Sequence, residues 1–159
     1  MSRREEQLSL FAAFHAVGVE YAVVGGVAVN AHGFIRNTWD LDIFIRPTVE
    51  NAKAAFRALK ELGAPLDGSE PADLRMAYSH FQLHTPNGRV DILPSIGEMS
   101  FDTVWRNRVE TEIDRIPVRF ISKADLIENK RQVGRLVDLA DVEQLSLTPD
   151  SDVLKLPEE

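Results

Sequence analysis

Hydrophobic positions near the start of the chain follow first a helical and then an extended spacing. Apolar side chains over residues 5–17 recur every three to four positions, which predicts a helix that ends at Gly18. The apolar run 20–24 predicts a strand, and a short helix over 26–33 follows it directly. Polar and apolar residues then alternate over 39–45, as in a strand with one buried face. The predicted order is therefore helix, strand, helix, strand.

The rest of the chain continues this mixture of strands and helices. Thr48 is a suitable N-cap for a helix over 49–62, and the turn-rich segment 64–77 predicts a loop. Ser122 and Asp125 have the pattern of a capping box, which opens a helix. The other predicted elements are strands over 80–85, 89–93, 109–113 and 116–121, a helical turn over 101–107 and a last helix over about 135–145.

The order of these elements predicts the fold class. Hairpins occur beside helical connections, so we expect an α+β fold, a mixed α/β sheet with helices packed on it, rather than a regular parallel array. No change in composition marks a linker, which predicts one domain over 1–159. Within it we expect a sheet core over 20–95, a C-terminal helical pair over 122–145 and a tail over 147–159.

The turn of the hairpin leaves two strand registers open. A two-residue turn at Asn87-Gly88 places His84 opposite Asp91 on the same face of the sheet. A turn opened by Pro86, with the glycine as a bulge, places Leu83 opposite Asp91 and turns His84 away. The apolar pattern favours the first register, and the chemistry of proline favours the second.

Composition narrows the class of protein. The chain has no cysteine, which excludes disulfides and thiolate metal sites and is typical of a cytoplasmic protein. No apolar run approaches the roughly 20 residues of a membrane span, so no membrane partner is expected. The net charge of −7 argues against a dedicated binder of long nucleic acid. The segment 103–135 is nevertheless rich in arginine and lysine, which keeps a phosphate-bearing partner open.

Two carboxylates lie inside the predicted strand 39–45. Asp40 and Asp42 point to the same face, with Cα atoms about 6.5–7 Å apart, while the apolar side chains between them face the core. Two like charges this close repel each other unless a cation lies between them. Oxygen ligands without histidine or cysteine favour Mg²⁺ or Mn²⁺ over zinc. The competing interpretation is a solvated face of the strand.

Two more features favour the cation. Gly25 and Gly26 join a strand to a helix, where glycine lets the backbone approach a phosphate closely. Asp91 is another carboxylate inside an apolar strand, directly after the predicted hairpin turn. A third carboxylate on a neighbouring strand would complete a metal-binding cluster.

This combination of motifs resembles a known superfamily. An apolar run ending in Gly25-Gly26, a spacer of 13 residues, the strand D-L-D-I and a later R-V-D-I resemble the nucleotidyltransferases of the DNA polymerase β type. The stretch 36–42, R-N-T-W-D-L-D, is similar to the R-x-T-x-D-h-D pattern of minimal nucleotidyltransferases, which include aminoglycoside nucleotidyltransferases and the toxins of abortive-infection and toxin–antitoxin systems. Residues 125–145 resemble their helical pair K…R-x-x-D-l-x-D. Many relatives have Gly-Ser where this chain has Gly-Gly, which leaves backbone N–H groups to hold the phosphate.

The resemblance implies a Mg²⁺- or Mn²⁺-dependent transfer of NMP from an NTP to an acceptor hydroxyl, with release of pyrophosphate. The implied catalytic and metal-binding residues are Asp40, Asp42 and Asp91. The implied nucleotide-binding residues are Gly25, Gly26, Arg36 and Lys130. Arg36 has a structural alternative, an ion pair with a nearby acid, and Lys130 has the alternative of a solvated helix lysine. Tyr78 and Phe81 are candidates for stacking on a base.

The acceptor and the partners stay open at this level. The acceptor is a small molecule such as an antibiotic, a protein side chain or tRNA, and the acidic net charge favours the first two. An antitoxin partner follows from the resemblance, and a homodimer from the small size of the chain. The alternative functions are a non-catalytic nucleotide- or partner-binding module on the same fold and a metal-dependent phosphohydrolase, although no histidine-rich pattern supports the latter.

Overall fold

A mixed six-stranded sheet forms the centre of the molecule. The structure is a computed structural model, and it describes residues 1–76 and 81–158. The strands are β1 Tyr21–Val24, β2 Asp40–Ile45, β3 Phe81–Thr85, β4 Gly88–Leu93, β5 Val109–Ile113 and β6 Ile116–Phe120. Their spatial order is β3-β4-β2-β1-β6-β5. Residue 80, the first of the predicted strand 80–85, and the stacking candidate Tyr78 are outside the described residues.

Helices connect and cover these strands. They are α1 Arg3–Ala16, α2 Gly25–Ala31, α3 Val49–Glu61, α4 Phe101–Asn107, α5 Lys123–Val133 and α6 Leu136–Leu147, with a short 3₁₀ helix Pro71–Arg75 inside the predicted loop. Thr48 and Ser122 cap α3 and α5 by accepting backbone N–H bonds, as predicted. The carboxylate of Asp125 instead accepts a bond from Asn107, 3.1 Å away. No helix in the described part of the chain is long and apolar enough to cross a membrane.

The strand directions make β2 the centre of the site-bearing half. β2 pairs antiparallel with β1 on one side and parallel with β4 on the other. β3 and β5 each pair antiparallel with their hairpin partners at the two edges, and β6 runs parallel to β1. The predicted α+β fold with a mixed sheet is therefore confirmed.

The core lies on both faces of β1 and along β2 except at its two aspartates. All four residues of β1 are buried, and α1 packs its aromatic side chains against this strand. The ring of Phe11 stacks on that of Tyr21 with centroids 5.7 Å apart, and Phe14 meets the same ring edge-on. After α6 the chain returns to this core, where Leu154 and Leu156 are buried.

The observed hairpin has a register that differs from both predictions. Thr85 pairs with Gly88 and Leu83 pairs with Val90, so that Pro86 and Asn87 form the turn. Gly88 belongs to the strand because it has a φ of +148° and its backbone approaches Trp39; a Cβ there would lie 2.5 Å from the Trp39 carbonyl oxygen. Both predicted registers are therefore wrong, since each made Gly88 part of the turn.

Candidate active site

The parallel pairing of β2 with β4 brings the three predicted carboxylates together. Asp42 lies directly beside Asp91 in the register, and Asp40 lies beside Arg89. Paired residues on neighbouring strands share a face and have Cα atoms about 5 Å apart. The opposite face of β2 carries Leu41, which is buried in the core and holds the strand in this orientation. The prediction that the polar face of β2 gathers the carboxylates therefore agrees with the geometry.

The glycine pair lies at the same place because β1 ends beside Asp42. Val24 pairs with Asp42, and α2 begins at the next residue. Gly25 has a φ of +66°, and a Cβ there would lie 2.2 Å from an oxygen of Asp42. A Cβ on Gly26 would lie 2.6 Å from the hydroxyl of Thr38. Both positions therefore require glycine, because the side chains of Asp42 and Thr38 occupy the space that a Cβ would need.

Arg89 is a site residue that the sequence reasoning did not identify. Its Nη2 donates to Oδ2 of Asp40 at 2.9 Å and to Oδ2 of Asp91 at 3.1 Å. Its Nε lies 3.0 Å from Oδ1 of Asp91, an ion pair without hydrogen-bond geometry. The signal was present in R-V-D-I, because residues two apart on a strand share a face.

The electrostatics of the cluster are those of crowded anions. Burial, together with the neighbouring charges of Asp91 and Asp40, raises the pKa of Asp42 to about 7 against the opposing effect of Arg89. Asp91 is only 5% exposed, and its Oδ1 is buried without a hydrogen-bond partner. The contact of this oxygen with Arg89 Nε offsets its burial without the geometry of a hydrogen bond.

The chemistry of this donor set fits a hard divalent cation. Three carboxylates on one face, one with an open buried oxygen, supply the ligands that Mg²⁺ and Mn²⁺ prefer. Within residues 1–76 and 81–158, no three histidine or acidic side chains are already arranged around a metal position. The three aspartates are the candidate ligands for such a cation.

Arg36 and Lys130 lie in a separate network of ion pairs. Arg36 donates from Nε and Nη2 to the two oxygens of Asp141, each at 2.9 Å. The Nζ of Lys130 lies 2.9 Å from Asp141 and 3.3 Å from Asp138. Lys130 is buried, so the alternative of a solvated helix lysine is wrong. The structural alternative for Arg36 agrees with its ion pair, and the nucleotide contacts of both residues stay predictions.

The C-terminal block that resembled a family motif supplies the anions of this network. Asp138 accepts from Arg135 at 2.7 Å and from Lys130, and both aspartates are 1% exposed. Burial acts to raise the pKa of Asp141, but bonds from Arg36 and Lys130 lower it on balance. The pKa of Arg135 is raised chiefly by its hydrogen bond to Asp138.

The remaining histidine and aromatic candidates lie on β3, the edge strand next to β4. His84 is exposed and pairs with Arg89, while Gln82 takes the position opposite Asp91. Phe81 is half-buried and pairs with Ile92. The open question of whether His84 faces Asp91 is therefore answered by the register: the two residues are not paired.

Known proteins resemble this chain in structure. No family model matches the chain, and no curated protein matches its sequence. Its structure is similar to that of the lincosamide antibiotic adenylyltransferase LnuA with lincomycin bound, at a TM-score of 0.63 and 18% identity over 92% of this chain and 98% of that one.

Two further structures have the same fold. ANT(2″)-Ia in complex with adenylyl-2″-tobramycin has a TM-score of 0.58 and 16% identity, over 89% of this chain and 87% of that one. A nucleotidyltransferase-like protein from Paracoccidioides brasiliensis has a TM-score of 0.51 and 16% identity, over 91% and 77%. The chain therefore has the fold of the nucleotidyltransferase superfamily, as the glycine pair and the D-L-D strand predicted.

Proposed function

We propose that this protein transfers a nucleoside monophosphate from an NTP to an acceptor hydroxyl. The observation that carries the proposal is the meeting of Asp42, Asp91 and Gly25 at one point of the sheet. Nucleotidyl transfer requires carboxylates that bind a divalent cation and a glycine backbone that a phosphate can approach closely. The fold shared with nucleotidyltransferases supports the same reaction class.

The reaction balances without any other reactant. The acceptor oxygen forms a bond to the α-phosphorus of the NTP, the bond from that phosphorus to the bridging oxygen of the β-phosphate breaks, and pyrophosphate leaves. The proton of the hydroxyl passes to a carboxylate. Asp91 is our candidate for this base, because one of its oxygens accepts no hydrogen bond. When bound, Mg²⁺ or Mn²⁺ would neutralise the triphosphate and lower the pKa of the acceptor hydroxyl.

The protein's own groups bind and orient the substrates. Asp40, Asp42 and Asp91 would hold the cation, and they are fixed by the paired strands β2 and β4, whose other faces are buried in the core. The N–H groups of Gly25 and Gly26, at the start of α2, would receive the phosphates, as the resemblance implies. The resemblance proposes Arg36 and Lys130 as further nucleotide contacts, in which case both would act from within their ion-pair network.

We propose a small molecule as the acceptor. LnuA and ANT(2″)-Ia are structures with lincomycin and with an adenylylated tobramycin, and both cover most of this chain. The net charge of −7 suits a small or cationic acceptor better than a long polyanion. The predicted protein partners, an antitoxin or a second copy, rest on the resemblance and on chain size, and size-exclusion chromatography with light scattering would test the dimer.

The test combines the purified protein, Mg²⁺ and each labelled NTP with four kinds of acceptor: a lincosamide, an aminoglycoside, tRNA and a protein extract. We expect pyrophosphate release and label on a small molecule. Asp42→Asn should reduce transfer to background with the fold intact, whereas Asp67→Asn, at an exposed carboxylate in a loop, should not. NTP binding without transfer to any acceptor would favour a binding module, and transfer that survives Asp42→Asn would refute the site.

A further inference from the structure

Arg89 connects two of the three carboxylates through a single nitrogen. Its Nη2 donates to the Oδ2 atoms of both Asp40 and Asp91, at 2.9 and 3.1 Å. These two aspartates lie on different strands, so that the guanidinium links β2 to β4 at the level of the site. An arginine can make such a connection because its planar fork presents several donors in fixed directions.

The contacts of Arg89 divide the oxygens of Asp91 into two kinds. Oδ2 accepts a hydrogen bond from Nη2, whereas Oδ1 is buried and has no hydrogen-bond partner. The nearest Arg89 atom to Oδ1 is Nε, which lies 3.0 Å away without hydrogen-bond geometry. Both oxygens of Asp91 therefore face the arginine, Oδ2 through a hydrogen bond from Nη2 and Oδ1 through its contact with Nε.

Arg89 is not needed to hold the strands together. β2 and β4 are paired over five residues, and the buried Leu83, Val90 and Ile92 anchor the hairpin from the core. The arginine side chain itself is about one third exposed, and its partner Asp40 is 40% exposed. The ion pair with Asp40 is therefore screened by solvent and adds little to stability, whereas Asp91 is the buried partner of Arg89.

We propose that Arg89 is a positioning residue for the cation ligands: by bonding both Asp40 and Asp91 it fixes these two carboxylates relative to each other, so that their positions are set before a cation binds. This inference rests on the proposed function, because it concerns the divalent cation of that reaction. Side chains that hold metal ligands by hydrogen bonds typically affect metal affinity by about 10–100-fold.

Arg89→Lys is the variant that isolates this role. Lysine keeps the positive charge, so the electrostatic effect on a cation is nearly unchanged. It lacks the planar fork with which arginine reaches two carboxylates. Arg57→Lys, at an exposed position on α3, is the matched control. Thermal unfolding of both variants without metal verifies that the fold is intact.

The measurement is the affinity for Mn²⁺ without nucleotide, by electron paramagnetic resonance and calorimetry. We expect Arg89→Lys to bind Mn²⁺ about tenfold or more weakly than the wild type, and Arg57→Lys to bind like the wild type. The Mg²⁺ concentration for half-maximal transfer should rise by a similar factor, with a smaller change at saturating Mg²⁺.

The possible failures are distinct. If the wild type binds Mn²⁺ in a manner that Asp42→Asn abolishes, but Arg89→Lys binds equally well, the role of Arg89 is refuted and the proposed function stands. Tighter binding by Arg89→Lys would also overturn it, because the arginine would then compete with the cation. If the wild type binds no Mn²⁺, both the metal-dependent function and this inference fail.

Discussion

Two buried aspartates of this protein have opposite surroundings. Asp141 in α6 is 1% exposed, and both of its oxygens accept bonds from Arg36 while Lys130 adds a further contact. Asp91 in β4 is 5% exposed, yet one of its oxygens accepts no hydrogen bond. Its partner in the register with β2 is Asp42, another carboxylate. The buried charge of Asp141 is thus fully hydrogen-bonded, whereas the buried charge of Asp91 is only partly so.

The pKa shifts follow the same division. Despite burial, the bonds from arginine and lysine lower the pKa values of Asp138 and Asp141. Burial and neighbouring anions instead raise the pKa of Asp42 to about 7. Perturbation by like charges in an open cluster is a mark of a functional site, whereas a paired carboxylate with a lowered pKa is typical of a structural ion pair.

The largest effect on stability should come from breaking the paired region. Asp141→Asn leaves Arg36 and the buried Lys130 without their shared anion, and we expect a loss of about 3–5 kcal/mol in the free energy of unfolding. Asp91→Asn should change that free energy by less than about 1 kcal/mol without metal, because it also removes repulsion from Asp42. Urea denaturation measures both, and equal losses would contradict the comparison.

A smaller effect should come from closing the open region with a methyl group. At Gly25 alanine meets both a φ of +66° and the carboxylate of Asp42, so we expect a loss of about 2 kcal/mol or more in unfolding free energy, and loss of transfer. Gly18 is the matched control, since it has a φ of +71° and nothing within 4 Å of a Cβ. Gly18→Ala should cost only about 1–2 kcal/mol for the backbone and keep full transfer.

The smallest expected effect is the pH dependence of the free energy of unfolding, measured without added metal. The pKa of Asp42 is raised from 3.8 to about 7, so the folded state binds more protons than the unfolded state between these values. Its contribution to stability is therefore greatest at low pH and is lost as the pH rises through about 7, by at most about 1.4 kcal/mol per pH unit.

Melting temperatures at a series of pH values, with and without Mg²⁺, measure this slope. We expect Asp42→Asn to remove it and Mg²⁺ to reverse it, because a bound cation favours the ionised carboxylate. A slope that is unchanged in Asp42→Asn would assign the titration to another group.

Local patterns were sufficient for the elements and for part of the site. The predicted strand 39–45 and helix 49–62 agree with β2 and α3 within one residue, because alternation and an N-cap at Thr48 are local signals. Gly25, Asp40 and Asp42 could be identified from sequence for the same reason. The hairpin register could not, because it depended on the contact of Gly88 with Trp39, a residue far away in the chain.

The sequence by itself determined which face of β2 is polar, since side chains two apart point the same way and the apolar residues between them belong to the core. Only the tertiary structure decided that β4 lies parallel to β2 with Asp91 beside Asp42, and that Arg89 spans Asp40 and Asp91. It also decided that Lys130 is buried between Asp138 and Asp141. The physical reason is that strand pairing and ion pairing join residues far apart in the chain, and their partners are selected by packing of the whole core rather than by local periodicity.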